Sequence, residues 1–197
     1  MNNRAEGVRV AHPLFQAGGD GPQPISALQL RLYQISYPLA LALNRLWHSR
    51  LPRFGAGFIK RQPFLCYGAE FGGLYYAGAI WSNPVARNLP QHEWLELRRL
   101  AISSDAPRNT ASRLLAVMAR LIREERPQIV RLVSYHDTTV HAGTIYRAAG
   151  WTSTMLGAGG DWNRPNSRNQ NGTPRTRPPA QSAEPKQRWE KVIRGHP

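Results

Sequence analysis

Leu97-Arg98-Arg99-Leu100-Ala101-Ile102-Ser103-Ser104-Asp105-Ala106-Pro107-Arg108-Asn109-Thr110-Ala111-Ser112-Arg113 is the stretch on which the fold turns. It begins inside a strand predicted from Trp94 to Ser103, and there the apolar period slips: Leu95 and Leu97 have one parity, Leu100 and Ile102 the other. Successive strand residues point to opposite faces, so a change of phase implies one extra residue at Arg98-Arg99. Such an insertion is a β-bulge, which bends its strand and here would open a cleft toward a neighbour. A turn of small polar residues then leads into a helix over 110–125. Leu114, Leu115, Val117, Met118, Leu121 and Ile122 share one of its faces, and Pro127 closes it. The start of that helix turns unpaired amides and the positive end of its dipole toward the cleft, an arrangement that binds phosphate. Arg108 and Arg113 add charge, and Thr110 and Ser112 add hydroxyls. The segment is too poor in glycine for a Walker loop.

Working outward, Leu28, Leu30 and Leu32 alternate with Gln29 and Arg31, the period of a strand. Ser36 and Pro38 are start signals for a helix running to Trp47. Phe64 to Phe71 and Leu74 to Trp81 are apolar, aromatic runs separated by Gly72-Gly73, which predicts a hairpin. A strand follows over 129–135, a helix over 139–149 stopped by Gly150, and a short strand over 151–155. The order β-α-β-β-β-α-β-α-β predicts an α/β (α+β) fold: a mixed sheet with helices on both faces. The expected organisation is a loose arm over 1–24, one domain over 25–156, and a basic tail rich in Pro, Asn and Arg over 157–197 that lacks the apolar surface to order itself.

The chain carries 26 Lys and Arg against 12 Asp and Glu, a net charge of +14, with eight of those cations and three acids in residues 160–197. An excess of that sign favours a polyanion partner, because neutralising phosphates releases counterions; a plain solubilising role is the competing explanation for the tail. The single cysteine, Cys66, excludes an internal disulfide and lies in an apolar run, where a buried inert thiol is expected. No stretch approaches the roughly 20 apolar residues that span a bilayer, and Met1 to Val10 has no apolar segment of signal-peptide length. A cytoplasmic protein without membrane association is expected; a homodimer is left open.

Four side chains are candidates for chemistry. Tyr146 lies in His141-Ala142-Gly143-Thr144-Ile145-Tyr146-Arg147-Ala148-Ala149-Gly150-Trp151 among small residues that let a ligand approach, and a phenol can protonate a leaving group; a core tyrosine is the plainer alternative. Arg99, at the bulge, is placed to turn its guanidinium into the cleft toward a phosphate or carbonyl. Asp137 follows a strand end, where ligand sites in α/β sheets collect, and is a proton acceptor, a metal ligand or a helix cap. His48 ends a helix, where it meets the dipole; with Asp137 it is the best metal pair, since imidazole and carboxylate suit iron. The hairpin aromatics Tyr67, Phe71, Tyr75, Tyr76 and Trp81 offer stacking surface, although most aromatics at strand spacing belong to a core.

A bulged strand, a basic loop opening a helix, and a helix ending in Tyr-x-x-x-Gly-aromatic together resemble the GCN5-related N-acetyltransferase fold. The resemblance implies a mostly antiparallel sheet with a splayed strand pair, acetyl-CoA or a related acyl-CoA bound by Arg108, Asn109, Thr110, Ala111, Ser112 and Arg113, and Tyr146 protonating the departing thiolate. Ala111 and Ser112 stand where that fold's loop normally carries glycine. A narrower resemblance covers roughly residues 25–155. Leu97 to Ile102, Asp105 to Arg113, Ser134-Tyr135-His136-Asp137, His141 to Trp151 and, more loosely, His48-Ser49-Arg50-Leu51-Pro52 are similar to the Mom family of bacteriophage DNA-modification proteins. That likeness implies conversion of adenine N6 in double-stranded DNA to a carbamoylmethyl (acetamido) derivative that shields phage DNA from restriction, with Tyr146, Arg99, Asp137 and His48 as catalytic residues and a link to iron at His48 and Asp137. An N-acetyltransferase acting on a protein or small-molecule amine, and a DNA-binding protein without catalysis, are the competing expectations.

Overall fold

The computed structural model describes residues 23–48, 64–157 and 184–195. Seven strands form one sheet: β1 (Arg31–Gln34), β2 (Leu65–Phe71), β3 (Leu74–Ser82), β4 (Trp94–Ile102), β5 (Arg131–Asp137), β6 (Thr152–Gly157) and β7 (Lys186–Val192). Their order across the sheet is β1-β2-β3-β4-β5-β7-β6, and every neighbouring pair is antiparallel except β4–β5. The helices are α1 (Tyr37–Trp47), α2 (Thr110–Glu125) and α3 (Thr144–Ala148). Helix α1 packs on β2, β3 and β4, whereas α2 and α3 join the main core on the opposite face. The expected mixed, mostly antiparallel sheet with helices on both faces is what forms.

Local chemistry explains the elements. Ser36 caps α1, accepting from the Leu39 amide at 3.4 Å, with Pro38 in the first turn. Gly72 and Gly73, at φ 60° and 81°, turn β2 into β3. In α2, the apolar stripe Leu114, Leu115, Met118 and Ile122 is at most 2% exposed, and each such side chain contributes about 1.5–3 kcal/mol by leaving water. Tyr67, Tyr76 and Trp81 from the hairpin are buried in that core; Phe71 and Tyr75 are half-buried.

The phase slip in β4 is a bulge. Ile80 pairs with Arg99 and Trp81 with Leu97, so Arg98 is the extra residue. Leu95, Leu97, Leu100 and Ile102 consequently all meet the α2-side core.

Three expectations need correction. The alternation at Leu28 to Leu32 is not one strand: Ala27–Gln29 is a 3-10 turn, and β1 begins at Arg31. A capping box wins there, with Ser26 accepting from Leu28 while the Gln29 amide oxygen accepts from Ile25 and Ser26, and Leu28 faces solvent. The third helix starts at Thr144 instead of Thr139, because the amides of Val140 and His141 both donate to the Asp137 carbonyl in a turn and Gly143 takes φ 71°. Most consequentially, the region expected to be a tail contains β7, inserted between β5 and β6 and paired on both sides. Trp189 is 3% exposed and Ile193 9%, so this short apolar island has surface enough to order itself. The rest of the expected tail, 158–183 and 196–197, and nearly all of the expected arm, 1–22, lie outside the described residues.

Candidate active site

The β4–β5 ladder runs from Trp94↔Arg131 to Leu97↔Ser134 and ends there, one residue before the bulge. Beyond it β4 stays paired to β3 as far as Ile102, and β5 stays paired to β7 as far as Asp137. Two strands held by their outer neighbours but not by each other make a wedge, with Ser134 at its apex.

On the α2 side, a cavity of about 320 Å³ is lined by Ile102, Pro107, Asn109, Thr110, Ala111, Ser112, Thr144, Ile145 and Ala148. Asn109 adopts φ 65° and makes no side-chain cap; the Thr110 amide donates to the Pro107 carbonyl and the Arg113 amide to the Asn109 carbonyl, which leaves the Ala111 and Ser112 amides to the cavity. The Thr110 hydroxyl donates to the Pro107 carbonyl at 2.6 Å and the Ser112 hydroxyl to the Asn109 carbonyl at 3.1 Å, which fixes the loop. Four of the six residues expected to hold a cofactor therefore line one cavity. Arg108 is exposed beside it, and Arg113 donates to the Leu28 carbonyl at 3.4 Å. Tyr146 reaches the apex: its phenol lies 2.9 Å from the Ser134 hydroxyl, and it is 6% exposed. Burial pushes that phenol up, opposed by Ser134, so it remains a proton carrier at neutral pH.

Arg99 and His48 meet on the α1 side. Burial and the Arg98 charge lower the Arg99 guanidinium to about 10, and its Nη1 donates to the Arg98 carbonyl at 2.6 Å. Burial and the Arg99 charge hold His48 down at about 4. Asp137 ends β5; its Oδ1 accepts from the Thr139 amide and hydroxyl, and its Oδ2 pairs with Lys186 at 2.6 Å. That is turn-capping geometry with an added ion pair. Among the described residues no group of three or more His, Cys, Asp or Glu side chains could hold a metal ion. The Arg99 charge lies beside His48, and the Asp137 carboxylate is ion-paired to Lys186.

Sequence reasoning missed Glu96, Ser134, His136 and Trp189. Glu96, 7% exposed, lies next to the last rung of the ladder, pairs with Arg98 at 3.2 Å and accepts from the Val85 amide at 2.9 Å. Burial pushes its carboxyl above the usual range, with Arg98 opposing. An acid inside a β4 motif that alternates Leu-Glu-Leu was a visible signal for it; Trp189 had only the Trp-x-x-Val-Ile island in a polar segment.

The family model described as the Mom protein family matches residues 68–186, more than half of the chain and all of the wedge. The chain belongs to the Mom family. No curated protein matches the sequence. Solved structures share the fold at low identity. The ribosomal-protein-S18-alanine N-acetyltransferase from Escherichia coli has TM-score 0.56 and 16% identity, covering 85% of this chain and 96% of its own. A Bacillus subtilis acetyltransferase in complex with CoA has TM-score 0.55 and 11% identity, covering 83% and 98%. The GNAT domain of an S. lividans protein has TM-score 0.53 and 16% identity, covering 83% and 90%. This member of the Mom family thus carries the GCN5-related N-acetyltransferase fold. No helix among the described residues is long and apolar enough to cross a membrane.

Acid should loosen this fold. Burial holds both His48 and His136 below the ordinary 6.5, so the unfolded chain binds more protons at mildly acid pH. The stabilisation is complete above about 6.5 and is lost as pH falls from there toward 4, the value of His48. Thermal unfolding is expected at lower temperature at pH 5 than at pH 7.5, with a smaller difference in His48→Gln; an equal or higher midpoint at pH 5 would contradict this.

Proposed function

We propose that this chain is a transferase built on the acyl-CoA-dependent fold whose acceptor is adenine N6 in double-stranded DNA, and that the group it leaves on N6, carbamoylmethyl by its family kinship, protects phage DNA. The observation that carries the reading is the wedge with α2 amides at one side and a buried phenol at its apex, in a chain of the Mom family. The CoA in the Bacillus subtilis structure supports an acyl-CoA donor for the same fold. The α2 amides and the hydroxyl-fixed loop receive the donor's pyrophosphate, with Arg108 and Arg113 as flanking charge. The acceptor approaches from the α1 side, where the Arg99 charge lies beside His48, with Asp137 at the end of β5. An adenine in a duplex has to be flipped out of the stack to reach this depth, and the net charge of +14 supports a grip on its backbone.

The chemistry asked of the residues is limited. As the C–S bond of the thioester breaks, the thiolate needs a proton, and the Tyr146 phenol supplies it, with Ser134 in hydrogen-bond contact to reset it. Arg99 stabilises negative charge developing on the donor's carbonyl oxygen. That transfer joins N6 to the donor's carbonyl carbon as an amide, with the N6 proton passing to solvent. A carbamoylmethyl group is joined to N6 through its CH2 and holds one nitrogen more, so a donor of that group must carry its leaving group on that CH2 and supply the nitrogen too.

DNA from cells expressing the chain should yield, after digestion to nucleosides, a deoxyadenosine heavier by one carbamoylmethyl group. A deoxyadenosine heavier by an acetyl group would keep the acyl transfer and replace the product. Unaltered deoxyadenosine, with acetylation of a protein or small-molecule amine instead, would replace the acceptor.

A further inference from the structure

We propose that Trp189 and His136 are positioning residues for the Tyr146 phenol, so that the last strand of the sheet completes the active site. This rests on the proposed role of Tyr146 as the acid. A tyrosine on a five-residue helix has two free side-chain torsions, and a phenol displaced by about 1 Å loses much of its catalytic value. Here the ring is clamped. Trp189 stacks on it with centroids 5.3 Å apart and planes 11° apart, and Trp151 meets it edge-on at 5.7 Å and 66°. A stack on one side and an edge on the other fix both torsions, leaving the hydroxyl aimed at Ser134 at 2.9 Å.

Trp189 is itself held. Its indole N–H donates to Nδ1 of His136 at 2.6 Å, and the imidazole lies 6.0 Å from the Tyr146 ring at 21°. Neighbouring strands supply the two partners, since Ser134 pairs with Trp189 in the β5–β7 ladder and His136 follows two residues on, on the same face. Accepting at Nδ1 places the imidazole proton on Nε2, and burial keeps the ring neutral, which preserves the acceptor. The approach of α3 is made close by Gly143, where a Cβ would overlap Trp189 Cζ2 and crowd His136 Cε1 at 3.0 Å. Trp189 lies beyond residues 68–186, the part of the chain that the family match covers.

The test compares wild type with Trp189→Ala, Trp189→Phe, His136→Leu and Tyr146→Phe. It reads acyl-CoA thiol release in the presence of DNA, the KM for acyl-CoA, and the ring proton resonances of Tyr146 in selectively labelled protein. Trp189→Ala is expected to lose the upfield ring shift that stacking gives Tyr146 and about tenfold or more in kcat, with KM nearly unchanged. Trp189→Phe keeps a stacking ring and should recover most of the shift and rate. His136→Leu, which leaves Trp189 in place without its anchor, should lie between, and both milder variants serve if Trp189→Ala does not fold. A wild-type kcat in Trp189→Ala, or in His136→Leu if Trp189→Ala does not fold, with altered Tyr146 resonances while Tyr146→Phe is slow, would overturn the positioning role and leave the acid role standing. Wild-type rates in Tyr146→Phe would overturn the acid role, and the positioning role with it; absence of thiol release from wild type would overturn the proposed function itself.

Discussion

Tyr146→Phe is expected to slow acyl transfer by about 10²–10⁴-fold, the range in which a positioned general acid acts. The substitution removes one oxygen from a ring whose other contacts are aromatic stacks, so the stack with Trp189 and the edge contact with Trp151 survive. The Ser134 hydroxyl loses its partner at 2.9 Å, a cost to folding of about 1 kcal/mol. The loss belongs in kcat, because the phenol acts on the leaving thiolate and the cavity walls at α2 are untouched. Steady-state kinetics of thiol release check this; an unchanged kcat would return Tyr146 to a purely structural role in the core.

Trp81→Ala is expected to cost about 3–5 kcal/mol of stability, as large-to-small changes at fully buried aromatic positions do. Trp81 is 0% exposed, its indole N–H points at the Met118 sulfur 3.2 Å away in α2, and its ring lies 6.3 Å from Trp151. It also pairs with Leu97 on the near side of the bulge. Its removal would empty the centre of the core and loosen the anchor that keeps β4 bent. For a chain of this size the melting temperature should fall by about 10 °C or more, measurable by calorimetry. A fall of only a degree or two would mean that the space is refilled and that the bulge does not depend on this side chain.

Much of this architecture could be read from the residues, for reasons that differ element by element. The bulge was legible because the parity of Leu95 and Leu97 against Leu100 and Ile102 can be reconciled with one core only by an inserted residue, and Arg98 is that residue. The α2 start was legible because a helix N-terminus advertises itself in its turn residues, and Asn109 to Ser112 do line the cavity. The 3-10 turn at Ala27–Gln29 was masked by leucines with strand spacing, since a capping box depends on side-chain hydrogen bonds that periodicity does not register. Strand β7 was hidden for a related reason. Residues 186–192 read Lys-Gln-Arg-Trp-Glu-Lys-Val, and the polar members are accommodated by partners far along the chain: Glu190 by Arg131 and by the nearby Arg188, each at 2.7 Å, and Lys186 by Asp137. Composition alone counts such a segment as solvated. The same blindness removed Trp189 from the candidate site, although it touches the phenol that the sequence did single out.

Catalysis at the wedge requires donor binding at its mouth, and backbone amide NMR during a titration with CoA tests that most directly. The resonances of Thr110 to Arg113 should move first and furthest, followed by those around Thr144 and Ser134. Shifts confined to other parts of the sheet, or none at CoA concentrations well above those in cells, would contradict it.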